Sequence, residues 1–238
     1  MTAFVHLTDR IRASDWHFRF KRWRRAKAEN PYKDFHAATN SIFVHIPKNG
    51  GMCVMKNLYG VERQLGHPPA ITYYTVDPDA FQRAFVFTII REPISRFKSA
   101  YAFLKSGGIN PLDKAFAEAN LPWSDLEEAI TRIEGEDLWP RLMRWMHFRP
   151  QCHYVAGAEN DKPYRIDFFG RQDRMQESLD IVCQTLGRPL IEARPVNTTR
   201  RTVSVELSDR SREILDRVYR DDFQLWDNVV RQWRLREQ

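Results

Sequence analysis

The sequence predicts a mixed α/β fold of three layers, in which helices cover both faces of a mainly parallel central sheet. Two stretches support this prediction: residues 41–46 and 84–90 are strand-like, and each runs into a turn and then a helical pattern. Strands that alternate with helices are typical of parallel sheets, because the crossover helices pack against the sheet faces. A chain of 238 residues is long enough to bury the core of one such domain.

The turn after the first strand, residues 47–51 (PKNGG), has the composition of an anion-binding loop. The N–H groups of a first helical turn and the helix dipole favour negative charge at this position. Gly50 and Gly51 let the backbone approach a phosphate closely, and Lys48 adds a mobile positive charge. The order differs from the nucleotide P-loop GxxxxGK[ST], since the lysine precedes the glycines. An ordinary strand–helix turn that needs glycine is the alternative interpretation.

A second motif follows the strand at residues 84–90. Arg91-Glu92-Pro93 leads into a helix with the pattern R-x-P-x-x-R-x-x-S-x-Y. Together with the preceding PKNGG loop, this motif resembles the PAPS-dependent sulfotransferases, most closely their carbohydrate (family 2) branch; PAPS is 3′-phosphoadenylyl sulfate. The resemblance implies a P-loop-like loop for the 5′-phosphosulfate, and an Arg and a Ser for the 3′-phosphate. The implied PAPS-binding residues are Lys48, Asn49, Gly50, Gly51, Met52, Cys53, Val54, Arg91 and Ser99.

Three later segments extend the resemblance to roughly residues 41–226. Residues 147–151 (HFRPQ) match the family element H-[WF]-x-P-Q, and residues 167–173 (DFFGRQD) resemble a strand-Gly-Arg-x-Glu segment. Asp222-Phe223 resembles part of the family's C-terminal helix.

The loops also depart from the family pattern at two places. Met52 and Cys53 stand where family loops usually have Ser or Thr, so two hydroxyl contacts are missing while the backbone N–H groups remain. Gln172 or Asp173 occupies the position where the family commonly has Glu. These departures bear on cofactor affinity and leave the predicted scaffold unchanged.

The resemblance implies in-line transfer of a sulfuryl group from PAPS to a hydroxyl, with a carbohydrate or glycoconjugate as the expected acceptor. Lys48 is expected to stabilise the charge that builds on the leaving phosphate oxygen. The acceptor must also lose a proton, and His67 is the predicted general base, with Glu62 as the fallback. A surface loop histidine is the alternative for His67. No metal is expected, because no His, Cys or Asp cluster has ligand spacing.

Other polar residues of the motifs have simpler predicted roles. His45 precedes the loop and is expected to be buried and hydrogen-bonded, and His147 is expected to be structural, with a place in the acceptor cleft as the alternative. Arg96 and Tyr101 are expected to hold their helix in place. Cys53 at a helix N-terminus has either a lowered pKa or the role of a small packed side chain.

The basic charge of the chain is concentrated at its beginning. Residues 1–40 contain nine Lys and Arg and four acids, so they contribute +5 of the net charge of +6. A nearly neutral remainder argues against nucleic-acid binding as the main activity. The sequence therefore predicts two parts: a basic amphipathic helical segment at 1–35, which could contact a membrane surface or dock its aromatic residues on the core, and a sulfotransferase-like α/β domain at 36–238.

Cellular location is predicted from what the sequence lacks. The three cysteines have no pairing or metal spacing, no apolar run approaches the ~20 residues of a membrane helix, and no signal peptide is evident. We therefore expect a cytoplasmic enzyme, possibly membrane-peripheral. A P-loop kinase-like ATP enzyme and an inactive PAP-binding relative are the competing functional hypotheses.

The remaining elements follow from periodicity, caps and breakers. Residues 71–76 are predicted to be a short strand or extended, and Ser124 is predicted to begin a capping box with Glu127. Gly187 is predicted to stop an amphipathic helix, and Ser208 to cap the next one. The other predicted elements are a helix at 8–29, helices at 94–105 and 111–120, a short helix from Pro140 to near His147, a strand at 164–169, and a last helix containing Trp226 and Trp233.

Overall fold

The computed structural model describes four stretches of the chain, residues 30–63, 65–156, 165–194 and 206–238. The chain divides into two compact units: unit 1 is Met1–Ile90 with Gln151–Arg194, and unit 2 is Arg91–Pro150 with Pro195–Gln238. The helix predicted at 8–29 lies outside the described residues. The boundary between a 1–35 segment and the rest of the chain therefore stays a prediction.

Unit 1 contains a parallel sheet of three strands, β1 (Ser41–Val44), β2 (Phe85–Ile90) and β3 (Phe168–Arg171), with β2 in the middle. The register pairs Ser41 with Phe85 and Phe87 with Phe168. Every residue of β1 is buried, as is every residue of β2 after its first. Strands covered on both faces must be apolar throughout, which explains their continuous hydrophobic composition. The predicted mixed α/β class and parallel sheet are thus confirmed.

Helices surround this sheet and make up most of unit 2. In the described stretches, none is both long enough and apolar enough to cross a membrane. The helices are α1 (Asp34–Thr39), α2 (Gly51–Tyr59), α3 (Ala70–Val76), α4 (Pro78–Arg83), α5 (Pro93–Lys105), α6 (Pro111–Asn120), α7 (Leu126–Gly135), α8 (Trp139–Leu142), α9 (Cys152–Val155), α10 (Met175–Thr185), α11 (Asp209–Val218) and α12 (Arg220–Arg236).

The segment at 71–76 is helical in α3, so the predicted strand or extended segment is wrong. Its β-branched and aromatic residues favour a strand locally, but that preference depends strongly on context. Ala70 and Tyr73, three residues apart, are both buried on one helical face. The Tyr73 ring packs edge-on against Tyr32 and His36, and this tertiary contact outweighs the local preference.

The third strand begins later than predicted, at Phe168 instead of 164. The Asp167 N–H donates to the Val86 carbonyl at 2.7 Å, and the Asp167 side chain accepts from Val86 N–H at 2.9 Å. The backbone and side chain of Asp167 therefore make the first hydrogen bonds between the β3 segment and β2. Gly170 lies so close to β2 that a Cβ there would be 2.5 Å from Ile89 Cδ1, which explains the glycine in the DFFGRQD segment.

The capping box predicted at Ser124 is also wrong by one residue. Asp125 is the N-cap of α7 and accepts from the Glu128 N–H at 2.9 Å. Glu127 instead accepts hydrogen bonds from Ser208 and Ser211. A cap motif four residues long cannot reveal this partner some eighty positions away. The short helix predicted from Pro140 to near His147 ends at Leu142 as α8, whereas the other predicted helices of the described stretches occur near their expected bounds, including the Ser208 cap of α11.

Unit 2 has its own core of aromatic and aliphatic residues. Phe97 on α5 packs against Trp139 and Phe148, and the Tyr219 hydroxyl donates to the Phe148 carbonyl at 2.8 Å. The Tyr101 hydroxyl donates to the Trp123 carbonyl at 2.6 Å. Burial raises the pKa of Tyr101 to about 12, which keeps this donor protonated. Tyr101 thus anchors α5, as the sequence predicts.

Candidate functional site

The loop between β1 and α2 (residues 45–50) turns sharply at the carboxyl edge of the sheet. Two of its residues, Lys48 and Gly50, adopt left-handed backbone angles with φ of 69° and 75°. Gly50 is the N-cap of α2, so no side chain caps the first turn, and that turn contains no acid. The Cys53 N–H donates to the Gly50 carbonyl at 2.9 Å, and the earlier N–H groups and the positive dipole end of α2 are available for an anionic group.

His45 and Gly51 explain why this loop needs a glycine at the start of α2. A Cβ on Gly51 would lie 2.0 Å from His45 Cδ2 and 2.1 Å from Nε2, a distance that no folded structure tolerates. His45 is only 8% exposed and stacks on Phe43 of β1. Burial, and secondarily the nearby His67, lower the pKa of His45 well below its usual range, so the imidazole is neutral. The predicted buried role of His45 is confirmed.

Gly50 lies against the segment that follows β3. A Cβ on Gly50 would be 2.8 Å from Met175 Cε and 3.6 Å from Gln172 Cγ. The left-handed angle and the close neighbour both favour glycine there. The loop is therefore bounded on one side by the buried His45 and on another by the beginning of α10.

Asn49 holds the loop from within unit 1. Its side chain is 1% exposed, and Nδ2 donates to the Ile89 carbonyl at 2.7 Å and to Gln151 Oε1 at 2.6 Å. Gln151 is fully buried. Because buried amides hold their partners strongly and leave a large penalty when one is removed, this pair fixes the position of the loop. The Asn49 side chain consequently faces inward, and Asn49 can offer a ligand only its backbone.

The other predicted loop residues divide by exposure. Cys53 and Val54 are buried, whereas Lys48 and Met52 are partly exposed. Burial raises the pKa of the Cys53 thiol, and Asn57 Nδ2 lies 3.3 Å from its sulfur. The interpretation of Cys53 as a packed side chain is supported, and a lowered thiol pKa is wrong. Lys48 is thus the one predicted loop residue whose charged side chain is partly exposed.

His67 comes into contact with the loop through His45. Its Nδ1 lies 3.0 Å from the His45 carbonyl oxygen, and the two rings pack edge to face at 4.3 Å. A carbonyl can only accept, so Nδ1 of His67 donates and Nε2 is the unprotonated nitrogen of the neutral ring. The fallback residue Glu62 is 77% exposed in its side chain and pairs with Lys56 at 3.1 Å. Of the two, only His67 is oriented by the loop.

In unit 2, Arg91 directly follows β2 in the chain and precedes α5. Its Nε donates to Ser95 Oγ at 3.0 Å, and burial lowers the pKa of Arg91 from its ordinary value. The N-cap Glu92 accepts from the N–H groups of Ile94 and Ser95, which fixes this start of α5. Ser99 is the seventh residue of α5 and is partly exposed.

His147, also in unit 2, has a structural position. It is 4% exposed and its Nε2 lies 3.2 Å from Oδ1 of the equally buried Asp113. Phe103 packs edge-on against the imidazole at 4.8 Å. A histidine enclosed in this way supports the predicted structural role over a place in an acceptor cleft.

Sequence analysis did not identify three polar residues as parts of the candidate site. Gln151 anchors Asn49 from 102 positions along the chain, and Ser95, four residues after Arg91, orients that guanidinium. Arg171 ends β3 at the same edge of the sheet as the loop, and it pairs with Asp173 at 2.6 Å. Its place in the DFFGRQD motif was the available signal.

Metal-type side chains do not gather in the described stretches: no group of three or more His, Cys, Asp or Glu could hold an ion there. The expectation of metal-independent chemistry stays a prediction.

Comparison with known proteins places the chain in a family. The profile described as the sulfotransferase family matches residues 37–227. Searches of curated proteins and of solved structures found no match. The matched range includes both predicted phosphate motifs, the Asn49–Gln151 pair and His67.

Proposed function

The chain belongs to the sulfotransferase family and is a PAPS-dependent sulfotransferase, and on this premise we propose that it transfers the sulfuryl group in line to a carbohydrate hydroxyl. The loop at 48–54 binds the 5′-phosphosulfate of PAPS in this proposal. The acceptor class rests on the likeness of the two motifs to the carbohydrate branch.

The observation that supports this role best is the start of α2, where two glycines pack closely on their neighbours and no side chain caps the first turn. A side chain at Gly51 would overlap His45, and one at Gly50 would approach Met175. The glycine N-cap leaves the first N–H groups of α2 to an external acceptor. A phosphate or sulfate oxygen is the kind of acceptor that such N–H groups bind.

Lys48 supplies the mobile positive charge of the proposed mechanism. As the sulfur–oxygen bond to PAPS breaks, negative charge accumulates on the departing phosphate oxygen of PAP. A cation held beside that oxygen stabilises the transition state more than the ground state. The left-handed backbone of Lys48 sets where its side chain leaves the loop.

His67 is the proposed general base. The acceptor hydroxyl forms the new oxygen–sulfur bond and gives its proton to Nε2, the nitrogen left unprotonated by the Nδ1 hydrogen bond to His45. The carbonyl of His45 also stabilises the imidazolium that forms, because an N–H donor bonds more strongly when it is charged.

Arg91 and Ser99 are proposed to bind the 3′-phosphate, a role that rests on the family motif. Ser95 holds the Arg91 guanidinium through Nε, which leaves the orientation of that planar group fixed. Fixing a guanidinium before binding reduces the entropy lost when a phosphate is bound.

Calorimetry with PAP in the presence of EDTA tests the proposal. We expect binding that needs no divalent metal and that exceeds binding of ATP with magnesium. Failure to bind PAP, together with tight binding of magnesium ATP, would instead support the hypothesis of a P-loop kinase-like ATP enzyme. Binding of PAP without turnover on any acceptor of a glycan, lipid and alcohol screen would instead support the inactive relative.

The variant Arg91→Ala distinguishes binding of the 3′-phosphate from binding of the 5′ end of the nucleotide. Losing a charged contact to phosphate costs about 2–3 kcal/mol, so PAP affinity should fall by roughly thirtyfold or more. Adenosine 5′-phosphosulfate lacks the 3′-phosphate and should bind wild type and variant alike. An equal loss for both ligands contradicts the 3′-phosphate role of Arg91.

A further inference from the structure

A second glycine-containing loop, defined as residues 107–113 of unit 2 and including the first residues of α6, exposes large apolar side chains. Ile109 is 65% exposed and Leu112 is 71% exposed, with the exposed Pro111 between them. We name Ile109 and Leu112 the apolar tip. Only five large hydrophobic residues of the described stretches are exposed, and two of them form this tip; Met146 is a third.

The apolar tip is held outward by a buried carboxylate. Asp113 is 2% exposed, and its Oδ2 accepts from Ile109 N–H at 3.3 Å and from Asn110 Nδ2 at 2.9 Å. A Cβ on Gly108 would lie 2.2 Å from Asp113 Cβ. Asn110 also caps α6 by accepting from the Asp113 N–H. The chain therefore fixes this loop in a conformation that presents two apolar side chains to solvent.

A second segment is tied to the same loop. Asp113 Oδ1 bonds His147 Nε2, and the Phe116 and Trp145 rings stack at 4.4 Å. Residues 139–150 are thus held beside α6. Met146, next to His147, is 41% exposed.

The charges of these two segments have one sign at the surface. Residues 103–116 and 139–150 contain a single acid, Asp113, which is buried and hydrogen-bonded. The next acids along the chain are Asp137, and Glu118 at 4.0 Å from Lys114. The basic residues of the two segments are Lys105, Lys114, Arg141, Arg144 and Arg149.

From these observations we propose that the apolar tip and the surrounding cations form a docking surface for an anionic lipid bilayer. Apolar side chains gain by entering the boundary between headgroups and acyl chains, and Lys and Arg are attracted to anionic headgroups. A stable protein partner needs about 800 Å² of complementary surface on each side, which two projecting side chains do not supply. A bilayer requires no such matching shape. The proposal does not depend on the proposed PAPS chemistry.

Vesicle co-sedimentation of the full chain tests this surface. Vesicles of phosphatidylcholine alone are compared with vesicles that also contain phosphatidylglycerol, at low and high salt. We expect binding to the anionic vesicles at low salt, weakened at high salt because exposed charges are then screened. The double variant Ile109→Ser/Leu112→Ser should bind about tenfold more weakly.

A matched control uses the two remaining exposed leucines, Leu190 (61%) and Leu235 (65%). Leu190→Ser/Leu235→Ser removes similar apolar area elsewhere and should bind vesicles like wild type. Lys114→Glu with Arg144→Glu should lower binding to anionic vesicles by about tenfold and leave binding to neutral vesicles unchanged.

Three outcomes would overturn the proposal. Wild type could fail to bind anionic vesicles at low salt, or the tip variant could bind as tightly as wild type, which would assign binding to another part of the chain such as residues 1–29. The tip variant could also change the oligomeric state by light scattering, which would assign the tip to a contact between copies. Far-ultraviolet circular dichroism and PAP affinity, both expected unchanged, confirm that each variant is folded.

Discussion

Two loops of this protein place a pair of glycines at or just before the start of a helix, and they present opposite chemistry. Gly50 and Gly51 are the N-cap and first residue of α2 and offer backbone N–H groups with Lys48, whereas Gly107-Gly108 precedes α6 and offers Ile109 and Leu112. In both loops one glycine touches a buried polar side chain, His45 in the first and Asp113 in the second.

The difference lies in what the anchoring side chain does with its hydrogen bonds. Asn49 in the first loop donates inward to Ile89 and Gln151, which leaves the N–H groups of α2 to a ligand. Asp113 in the second loop accepts from the loop's own Ile109 and Asn110, so the loop's donors are used internally. A pair of glycines thus indicates close packing, and the neighbouring polar residues decide whether an anion site results.

The largest expected difference between the loops concerns the effect of replacing the histidine that bonds each one, His67 at the first loop and His147 at the second. His67→Ala should lower turnover by about two to four powers of ten, because the general base is lost, while PAP affinity stays near wild type. A general base must be unprotonated to accept the proton, so the wild-type rate should rise with pH, and the variant should lack this limb. His147→Ala is the counterpart: it removes one hydrogen-bond partner of buried Asp113, costing about 1–3 kcal/mol of unfolding free energy. Full turnover and an unchanged pH profile in His67→Ala would move the base to Glu62.

The next largest expected difference is between the turnover of a Lys48 variant and that of a Lys114 variant. Lys48→Ala should reduce turnover by about two to three powers of ten, because the charge on the leaving oxygen loses its cation. PAP affinity should fall less, since the backbone N–H groups remain. Lys114→Ala, in α6 just after the second loop, should leave both constants unchanged. Equal turnover in the Lys48 variant and wild type would contradict its catalytic role.

Replacing Gly51, which lies against His45, or Gly108, which lies against Asp113, should cost similar stability but have different effects on PAP binding. A Cβ at Gly51 or Gly108 overlaps a buried side chain, and such overpacking costs about 1–3 kcal/mol of unfolding free energy. Gly51→Ala should also abolish calorimetric PAP binding, because the loop must move away from His45. Gly108→Ala should bind PAP normally once folded. Tight PAP binding by Gly51→Ala would show that the first loop tolerates displacement.

The buried amide pair provides a finer test of the first loop. Gln151→Leu leaves Asn49 Nδ2 with one acceptor fewer, at a cost of about 1–3 kcal/mol. The loss should appear in PAP affinity and be absent for adenosine 3′-phosphate, which lacks the 5′-phosphate. Thr88→Val is the matched control, because it removes one equally buried bond in β2, from Oγ1 to the Val44 carbonyl. If both variants weaken the two ligands equally, Gln151 acts on stability alone.

Acid should produce the smallest effect, and it should act on unit 1. Burial lowers the pKa of His36 to about 4 and that of His45 well below its usual range. Unfolded imidazoles bind protons near pH 6.5, so stability is complete above that pH and falls as the pH drops toward 4. His36 should contribute a loss of about 1 kcal/mol between pH 7 and 5.5, and His45 should add a loss in the same direction. Urea unfolding at both pH values measures the loss, and His36→Phe should reduce it.

What the sequence predicted well are features encoded locally. The strands at 41 and 85, the glycine turn and α6 at residues 111–120 depend on short apolar patterns and on Pro, Gly and Asn signals. The parallel sheet followed because uninterrupted apolar strands must be covered on both faces.

The predictions that failed concern segments whose structure depends on a contact with a residue distant in the sequence. Segment 71–76 became a helix through the contact of Tyr73 with Tyr32, and the Ser124 cap moved because Glu127 bonds α11. The inward orientation of Asn49 depends on Gln151, 102 positions along the chain. Local spacing contains no information about such partners.

The two bonds of Asn49 also constrain the order in which the loop can form. They join residues 40 and 102 positions apart, and both partners lie beside points where the chain passes between units, at Ile90 and Pro150. Contacts of such large sequence separation form slowly, because a long chain segment must close before any bond is gained. A nascent chain that ends before Gln151 has β1, the glycine turn and β2 but lacks the second acceptor. Competence to bind the nucleotide should therefore arise late in synthesis, after roughly two thirds of the chain has left the ribosome.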